Sequence, residues 1–182
     1  MKTIDEDIKS RKFQNIYLLY GSEDYLKQQY KQKLKQALIP ADDTINFSRF
    51  EGKHADPQAI IDLAETLPFF ADYRLILIED SGFFKNSCEA LANYLPALTP
   101  STILVFSESE VDKHGKMYKI ANKTGRAVEF AQQKEQLITR WILGRLKKEN
   151  KKITQSVLEL FLSKTGPDMG NIDKELEKLL CY

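Results

Sequence analysis

Thr66-Leu67-Pro68-Phe69-Phe70-Ala71-Asp72-Tyr73-Arg74-Leu75-Ile76-Leu77-Ile78-Glu79-Asp80 is the stretch whose reading decides the fold. Its second half runs through the consecutive aliphatics Leu75 to Ile78, which suit a strand buried on both faces, as in a parallel sheet sandwiched by helices. In the first half, Pro68 ends the preceding helix near Leu67, because a proline disfavours the α region for the residue before it. Phe69 and Phe70 are left on a short connection between helix and strand. Adjacent aromatics on a connection cannot easily both face one core. One reading tucks one or both rings under the sheet edge. The other makes them an exposed apolar wedge that enters a pocket on a partner.

The same strand pattern recurs on either side. Ile16 to Tyr20 is a buried run closed by Gly21, Thr102 to Phe106 is another, and Ala127 to Phe130 is a last short one. Thr44 to Phe50 alternates apolar and polar, the mark of a half-buried strand near a sheet edge. Between them lie helices. Leu26, Tyr30, Leu34 and Leu38 form an apolar stripe ended by Pro40, with Ser22 as a cap and Glu23 and Asp24 at the first turn. Asp56-Pro57 opens a helix with Ile60, Leu63, Ala64 and Leu67 on its buried face. Further helices are expected from Ser87 to Leu95 and from Lys116 to Lys123, whereas Met1 to Arg11, mostly charged, reads as a surface helix or arm. Strands alternating with helices at this spacing predict a three-layer α/β domain with a five-stranded, mostly parallel sheet.

From Ala131 onward the pattern is helical only. Leu137, Ile138, Trp141, Ile142 and Leu146 give one face; Val157, Leu158 and Phe161 or Leu162 give a second behind the cap Thr154. Gly166-Pro167-Asp168 opens a third helix carrying Ile172, Leu176, Leu179 and Leu180. The expected domains are residues 1–131 and 132–182. The chain reaches Tyr182 with no glycine stop signal, which predicts a fragment of a longer protein.

Composition narrows the function classes. The 182 residues carry 27 Lys and Arg against 26 Asp and Glu, so no global field recruits nucleic acid or an anionic membrane. The cysteines Cys88 and Cys181 lie far apart with no CxxC and no neighbouring His, giving neither a disulfide framework nor a metal set; a reducing cytoplasm fits. There is no apolar run long enough to cross a bilayer, and the acidic N-terminus does not suit a signal peptide.

The strand, glycine and helix at Ile16 to Leu38 occupy the place of a phosphate-binding loop. That chemistry needs glycines that turn N–H groups toward phosphates, then Lys with Ser or Thr. Tyr20-Gly21-Ser22-Glu23-Asp24-Tyr25 offers one glycine and two carboxylates that would repel a triphosphate. Glu79-Asp80 at the end of a strand resembles the acidic pair of an ATPase, but without a phosphate loop it has no triphosphate to serve. His54 and His114 are isolated on loops, and Phe83-Phe84 is a second aromatic pair on a loop. The basic residues between Arg145 and Lys152 read as a solvated helix end rather than a nucleic-acid patch.

Several of these stretches together resemble one family, the delta subunit of the bacterial DNA polymerase III clamp loader. They are Ile16 to Leu26; Leu67-Pro68-Phe69-Phe70 running into Arg74 to Ile78; Trp141 to Ile153; and Thr165-Gly166-Pro167-Asp168-Met169 leading to Glu175 to Leu179. The resemblance implies an AAA+-like first domain without a P-loop, a small all-helical lid-like second domain, and a collar domain beyond this chain. It implies a cytoplasmic replication protein that is itself non-catalytic within a DNA-directed DNA polymerase complex, with no cofactor, no metal and no small-molecule substrate. Its implied partners are the beta sliding clamp, the gamma/tau and delta prime subunits, and DNA indirectly. The apolar pair before the central strand is implied to grip the clamp. That assigns clamp binding to Phe69 and Phe70 with Leu67, Pro68, Asp72 and Tyr73 adjoining; Phe69 departs from a Leu-Phe form found in some relatives. Two other classes compete: a degenerate ATPase using Glu79 and Asp80, and a nucleic-acid-binding module using Lys147, Lys148, Lys151 and Lys152.

Overall fold

In the computed structural model, which describes residues 1–181, the aliphatic run is strand β3, Arg74–Glu79. Around it the other strands are β1 (Ile16–Tyr20), β2 (Phe47–Glu51), β4 (Thr102–Glu108) and β5 (Arg126–Glu129). They form one sheet in the order β2-β3-β4-β1-β5, with every pairing parallel. Parallel neighbours need crossover connections. These are supplied by α2 (Asp24–Leu38), α3 (Pro57–Ala64), α4 (Glu89–Tyr94) with a 3₁₀ turn at Leu95–Ala97, and α5 (Lys116–Thr124). A helix α1 (Lys2–Ser10) precedes the sheet.

One sheet face is built from Ile16, Leu18, Tyr20, Ile76, Ile78, Leu104 and Phe106, packed with Ile60 and Ala64 of α3, Leu91 of α4, and Met117 and Ala121 of α5. Phe83 and Phe84 enter this core, with Phe84 edge-on to Phe106 at 5.0 Å. The two aromatic pairs therefore part company, the second becoming packing. By the two-residue period of a strand, Tyr17, Leu19, Leu75, Ile103 and Val105 look the other way. On that side Tyr30 of α2 stacks at a tilt on Phe130 at 5.4 Å, and the Tyr17 hydroxyl donates to Asp7 of α1 at 3.0 Å.

Several boundaries differ from the sequence reading, each for a physical reason. Residues 2–10 form the helix of the two expected alternatives, but one packed down rather than lying free on the surface, because Ile4 is fully buried and the buried Asp7 carboxylate also accepts both forks of Arg126 at 3.1 Å. β2 begins at Phe47 rather than Thr44, because Asp43 folds the preceding chain into a side-chain-capped turn. α3 ends at Ala64, so Leu67 leaves its buried face and is exposed.

The chain divides into two units, the first comprising Met1–Ser22 with Lys27–Phe130 and the second Glu23–Leu26 with the chain from Ala131 on. The second unit holds α6 (Glu135–Lys148), α7 (Gln155–Thr165) and α8 (Met169–Leu180) around Ile138, Ile142, Leu146, Leu158, Met169, Ile172 and Leu176. Thr154 and Asp168 cap α7 and α8 through the N–H groups of Val157 and Asn171. Trp141 meets the edge of Tyr25 at 5.7 Å. Leu137, Val157 and Leu179, assigned inward by sequence, are exposed. Each adjoins a residue that packs inward (Ile138, Leu158 and Leu180), and with a helix turning about 100° per residue the buried stripe takes that neighbour and leaves these three at its margin. No helix among the described residues is long and apolar enough to cross a membrane.

Candidate partner-binding site

The chain between α3 and β3 is irregular in backbone, yet its first part, from Thr66 to Phe69, is held by hydrogen bonds. Asp56 starts α3 by accepting from the Gln58 N–H at 3.0 Å, and at the other end the Thr66 hydroxyl returns to the Leu63 carbonyl at 2.6 Å. Pro68 follows, with Leu67 in front of it. Arg74, the first residue of β3, then reaches back: its Nε donates to the Thr66 carbonyl, and its two Nη groups donate to the carbonyls of Leu67 and Ile45, all between 3.1 and 3.3 Å. The planar fork of guanidinium suits this, since it presents several donors in fixed directions.

Asn46 supplies the second tie. Its Oδ1 accepts from the Phe69 N–H at 2.7 Å and its Nδ2 donates to the Phe69 carbonyl at 2.8 Å, so one side-chain amide pairs with one residue's main chain as a neighbouring strand would. The same Nδ2 donates to Asp43 Oδ2 at 2.7 Å, while Asp43 Oδ1 accepts from the N–H groups of Ile45 and Asn46, both at 2.9 Å. The amide and N–H of Asn46 hold the Asp43 carboxyl below the usual carboxylate range. The Asn46 N–H and carbonyl are also spent, the carbonyl accepting from Leu75 at 2.8 Å.

With the main chain fixed in this way, the side chains of the pair point to solvent. Phe69 is 57% exposed and Phe70 95%, and Leu67 is 72% exposed. The two rings pack on each other edge to face, centroids 4.5 Å apart. Phe70 has φ 49°, a left-handed conformation unusual for a bulky residue. Of the six positions singled out by sequence, Leu67, Phe69, Phe70 and Asp72 are exposed, and Pro68 and Tyr73 are half-buried, Tyr73 meeting the edge of Phe13 at 5.7 Å. Phe70 and Asp72 line an open hollow together with Arg11, Leu38 and Asp43. Ile45 is also exposed, and its carbonyl shares Arg74 with that of Leu67. Sequence reasoning missed Asn46 and Arg74. The available signal was a single amide inside an apolar alternation, and a cation opening a run of aliphatics.

The groups that a nucleotide would need are engaged internally. Gly21 has φ 117° and donates its N–H to the Glu108 carbonyl at 3.1 Å. Lys27, six residues past Gly21 and thus at the spacing of a P-loop lysine, donates Nζ to that same carbonyl at 3.3 Å. The Glu108 carboxylate, pushed up by burial, accepts from the N–H groups of Ser81 and Gly82 and from the Ser81 hydroxyl. Glu79 pairs with Lys31 and Arg49, which hold its carboxyl low against the opposing effect of burial, and Asp80 accepts from the Ser109 hydroxyl at 3.1 Å. Glu23 is raised by burial and by the carboxylates of Asp168 and Asp24, an environment hostile to phosphate.

In the helical unit, Arg145 lies over Trp141 and faces Asp173 and Glu177 at 3.5 and 3.4 Å. Lys147, Lys148, Lys151 and Lys152 are exposed around the C-terminal end of α6, where cations complement the helix dipole. His54 and His114 are exposed, and among the described residues no cluster of His, Cys, Asp and Glu could hold a metal ion.

Comparison with known proteins places this arrangement. Residues 17–131 match the sequence model of the family described as "DNA polymerase III, delta subunit". The DNA polymerase III subunit delta of Bacillus subtilis (strain 168) is 25% identical over 191 residues, covering 97% of this chain and 54% of the relative. The solved structure of the Bacillus subtilis DNA clamp loader delta protein superposes with a TM-score of 0.77 at 23% identity, covering 99% of this chain and 57% of that one. The fold is shared more distantly with a DNA polymerase III gamma subunit-related protein of Thermotoga maritima, with a TM-score of 0.55 at 12% identity over 82% of this chain and 52% of that one. It is shared to a like extent with DnaA of Aquifex aeolicus, with a TM-score of 0.55 at 13% identity over 98% of this chain and 59% of that one. This chain spans little more than half the length of the delta relatives it matches. An α/β sheet of this order, matched across most of its length, is the ground for the assignment: the chain belongs to the DNA polymerase III delta subunit family.

Proposed function

We propose that this chain is the part of a clamp-loader delta subunit that grips the beta sliding clamp, and that Phe69 and Phe70 are the grip. Through it the subunit opens the clamp ring for loading onto primed DNA, while nucleotide hydrolysis falls to the gamma/tau subunits. Delta prime completes the assembly, and DNA is met chiefly through these partners. The observation that carries the reading is the exposure of both rings on a main chain held by Asn46 and Arg74. Evolving an exposed aromatic pair on a fixed support makes physical sense only where a partner covers it.

Burying two Phe side chains contributes about 3–6 kcal/mol, whereas nanomolar affinity requires about 12 kcal/mol. Leu67, Pro68, Asp72 and Tyr73 therefore belong to the same contact. Ring opening further requires the pair to bind the sprung interface better than the closed one, since a ligand shifts an equilibrium only by its differential affinity.

The test is capture of the cognate sliding clamp by wild type and by Phe69→Ala/Phe70→Ala, with thermal unfolding measured in parallel. The expected result is loss of capture with the unfolding temperature unchanged. Equal capture by both proteins overturns the reading.

A further inference from the structure

We propose that Asn46 and Arg74 are positioning residues for partner binding: they hold the main chain of residues 66–70 so that the two rings are presented in their bound geometry before the partner arrives. This rests on the clamp-grip reading and deepens it. Asn46 is 1% exposed and Arg74 7%, and the side-chain polar atoms of both are spent on loop and turn groups rather than on the sheet. Each crosses more than a turn of chain to bind main-chain groups of the connection: Asn46 both groups of Phe69, Arg74 the carbonyls of Thr66, Leu67 and Ile45. A buried amide and a buried guanidinium are costly to retain unless fully paired, and here the pairing is entirely with this connection and the turn at Asp43.

The two ties act at successive points. Arg74 fixes the chain up to Leu67, Pro68 restricts the next step through its ring, and Asn46 fixes Phe69. Phe70 is then the first residue free of a tie, and it adopts a left-handed φ of 49° that sets its ring against that of Phe69. An isolated residue rarely holds such a conformation unless its surroundings determine it. Ordering the main chain of a flexible connection on binding costs roughly a factor of ten in affinity per residue. Ordering it beforehand removes that loss, the general benefit of preorganisation.

The experiment measures clamp dissociation constants and site-resolved amide hydrogen exchange for wild type, Asn46→Ala, Arg74→Lys and Asp43→Asn. Lysine keeps the charge of Arg74 but cannot serve three carbonyls from one plane. Asp43→Asn, at a half-buried position outside the hydrophobic core, replaces the acceptor for Asn46 Nδ2 without removing a core side chain, so it decides the matter if Asn46→Ala does not fold. The expected result is a dissociation constant raised on the order of tenfold in each variant. Exchange accelerates at Phe69 and its neighbours and is unchanged in β3 and β4, a pattern that general destabilisation would not give. Wild-type affinity or wild-type exchange at Phe69 in Asn46→Ala and Asp43→Asn, with capture lost in Phe69→Ala/Phe70→Ala, overturns the positioning role alone. Capture retained in Phe69→Ala/Phe70→Ala overturns the grip itself, and the positioning role with it.

Discussion

The Nζ of Lys27 donates to the main-chain oxygen of Glu108 at 3.3 Å, turning inward the one lysine that stands at phosphate-loop spacing from Gly21. Its ammonium is thereby committed to joining α2 to the end of β4. Magnesium-ATP is expected to give no saturable heat by titration calorimetry up to millimolar concentration. Lys27→Met is expected to lower stability by about 1–3 kcal/mol, a hydrogen bond from a charged donor being lost, without altering that titration. Saturable micromolar binding would return the degenerate ATPase to favour.

Gly21 and Gly52 both have positive φ, at 117° and 81°, but differ in the space around them. A Cβ on Gly21 would lie 2.5 Å from the Phe130 carbonyl oxygen, whereas one on Gly52 would meet nothing within 4 Å. Gly21→Ala is therefore expected to cost about 2–4 kcal/mol, the steric clash adding to backbone strain. Gly52→Ala, with the strain alone, is expected to cost about 1–2 kcal/mol. Chemical denaturation of the two variants side by side measures the difference.

Glu79 and Glu108 tilt stability in opposite directions with pH. Burial works against the Glu79 carboxylate, but Lys31 and Arg49 outweigh it and hold its folded pKa low. Its contribution is present above the ordinary glutamate range and disappears as pH falls through the folded value. Glu108 is raised, burial outweighing its hydrogen bonds, so its contribution is fullest below the ordinary range and fades as pH rises through the folded value. Glu79→Gln is expected to cost about 1.5–3 kcal/mol at neutral pH and to flatten the acid limb of the stability profile. Glu108→Gln is expected to remove the opposing slope. Unfolding followed from pH 3 to pH 8 reads both.

Ile45 widens the apolar surface, because Arg74 ties its carbonyl beside that of Leu67 while its side chain remains exposed. Ile45→Asp is expected to weaken clamp capture by about 1–2 kcal/mol, tenfold or somewhat more, with unchanged thermal stability. Surface plasmon resonance against the cognate clamp checks it, and unaltered affinity would confine the contact to the connection itself.

The layers of the fold were legible because buried parallel strands read as aliphatic runs. Leu75 to Ile78 and Ile103 to Phe106 leave no other placement. Phe69 and Phe70 were visible as an anomaly for the same reason, with Pro68 closing the helix in front of them. The support beneath them was hidden. Asn46 and Arg74 act across 23 and up to 29 residues of sequence, and no local period encodes a hydrogen bond to a distant main chain. The role of Asp7 was obscured likewise: in a charged stretch nothing distinguishes the one carboxylate that is paired with Arg126 and Tyr17. Adjacent helix positions such as Leu137 and Ile138 also exceed what an apolar count resolves, since it marks both and the packing admits one.

Asn46 hydrogen-bonds Phe69 through main-chain atoms that every amino acid except proline possesses. The mount is consequently blind to the tool it carries. Either ring could be exchanged during evolution for another side chain unbranched at Cβ, and, on the proposed role, this would retune the contact to a drifting counterpart while these hydrogen bonds stay in place. Valine, isoleucine and threonine are disfavoured at position 70, where the left-handed backbone crowds a second branch at Cβ, and proline, whose ring fixes a negative φ, is barred.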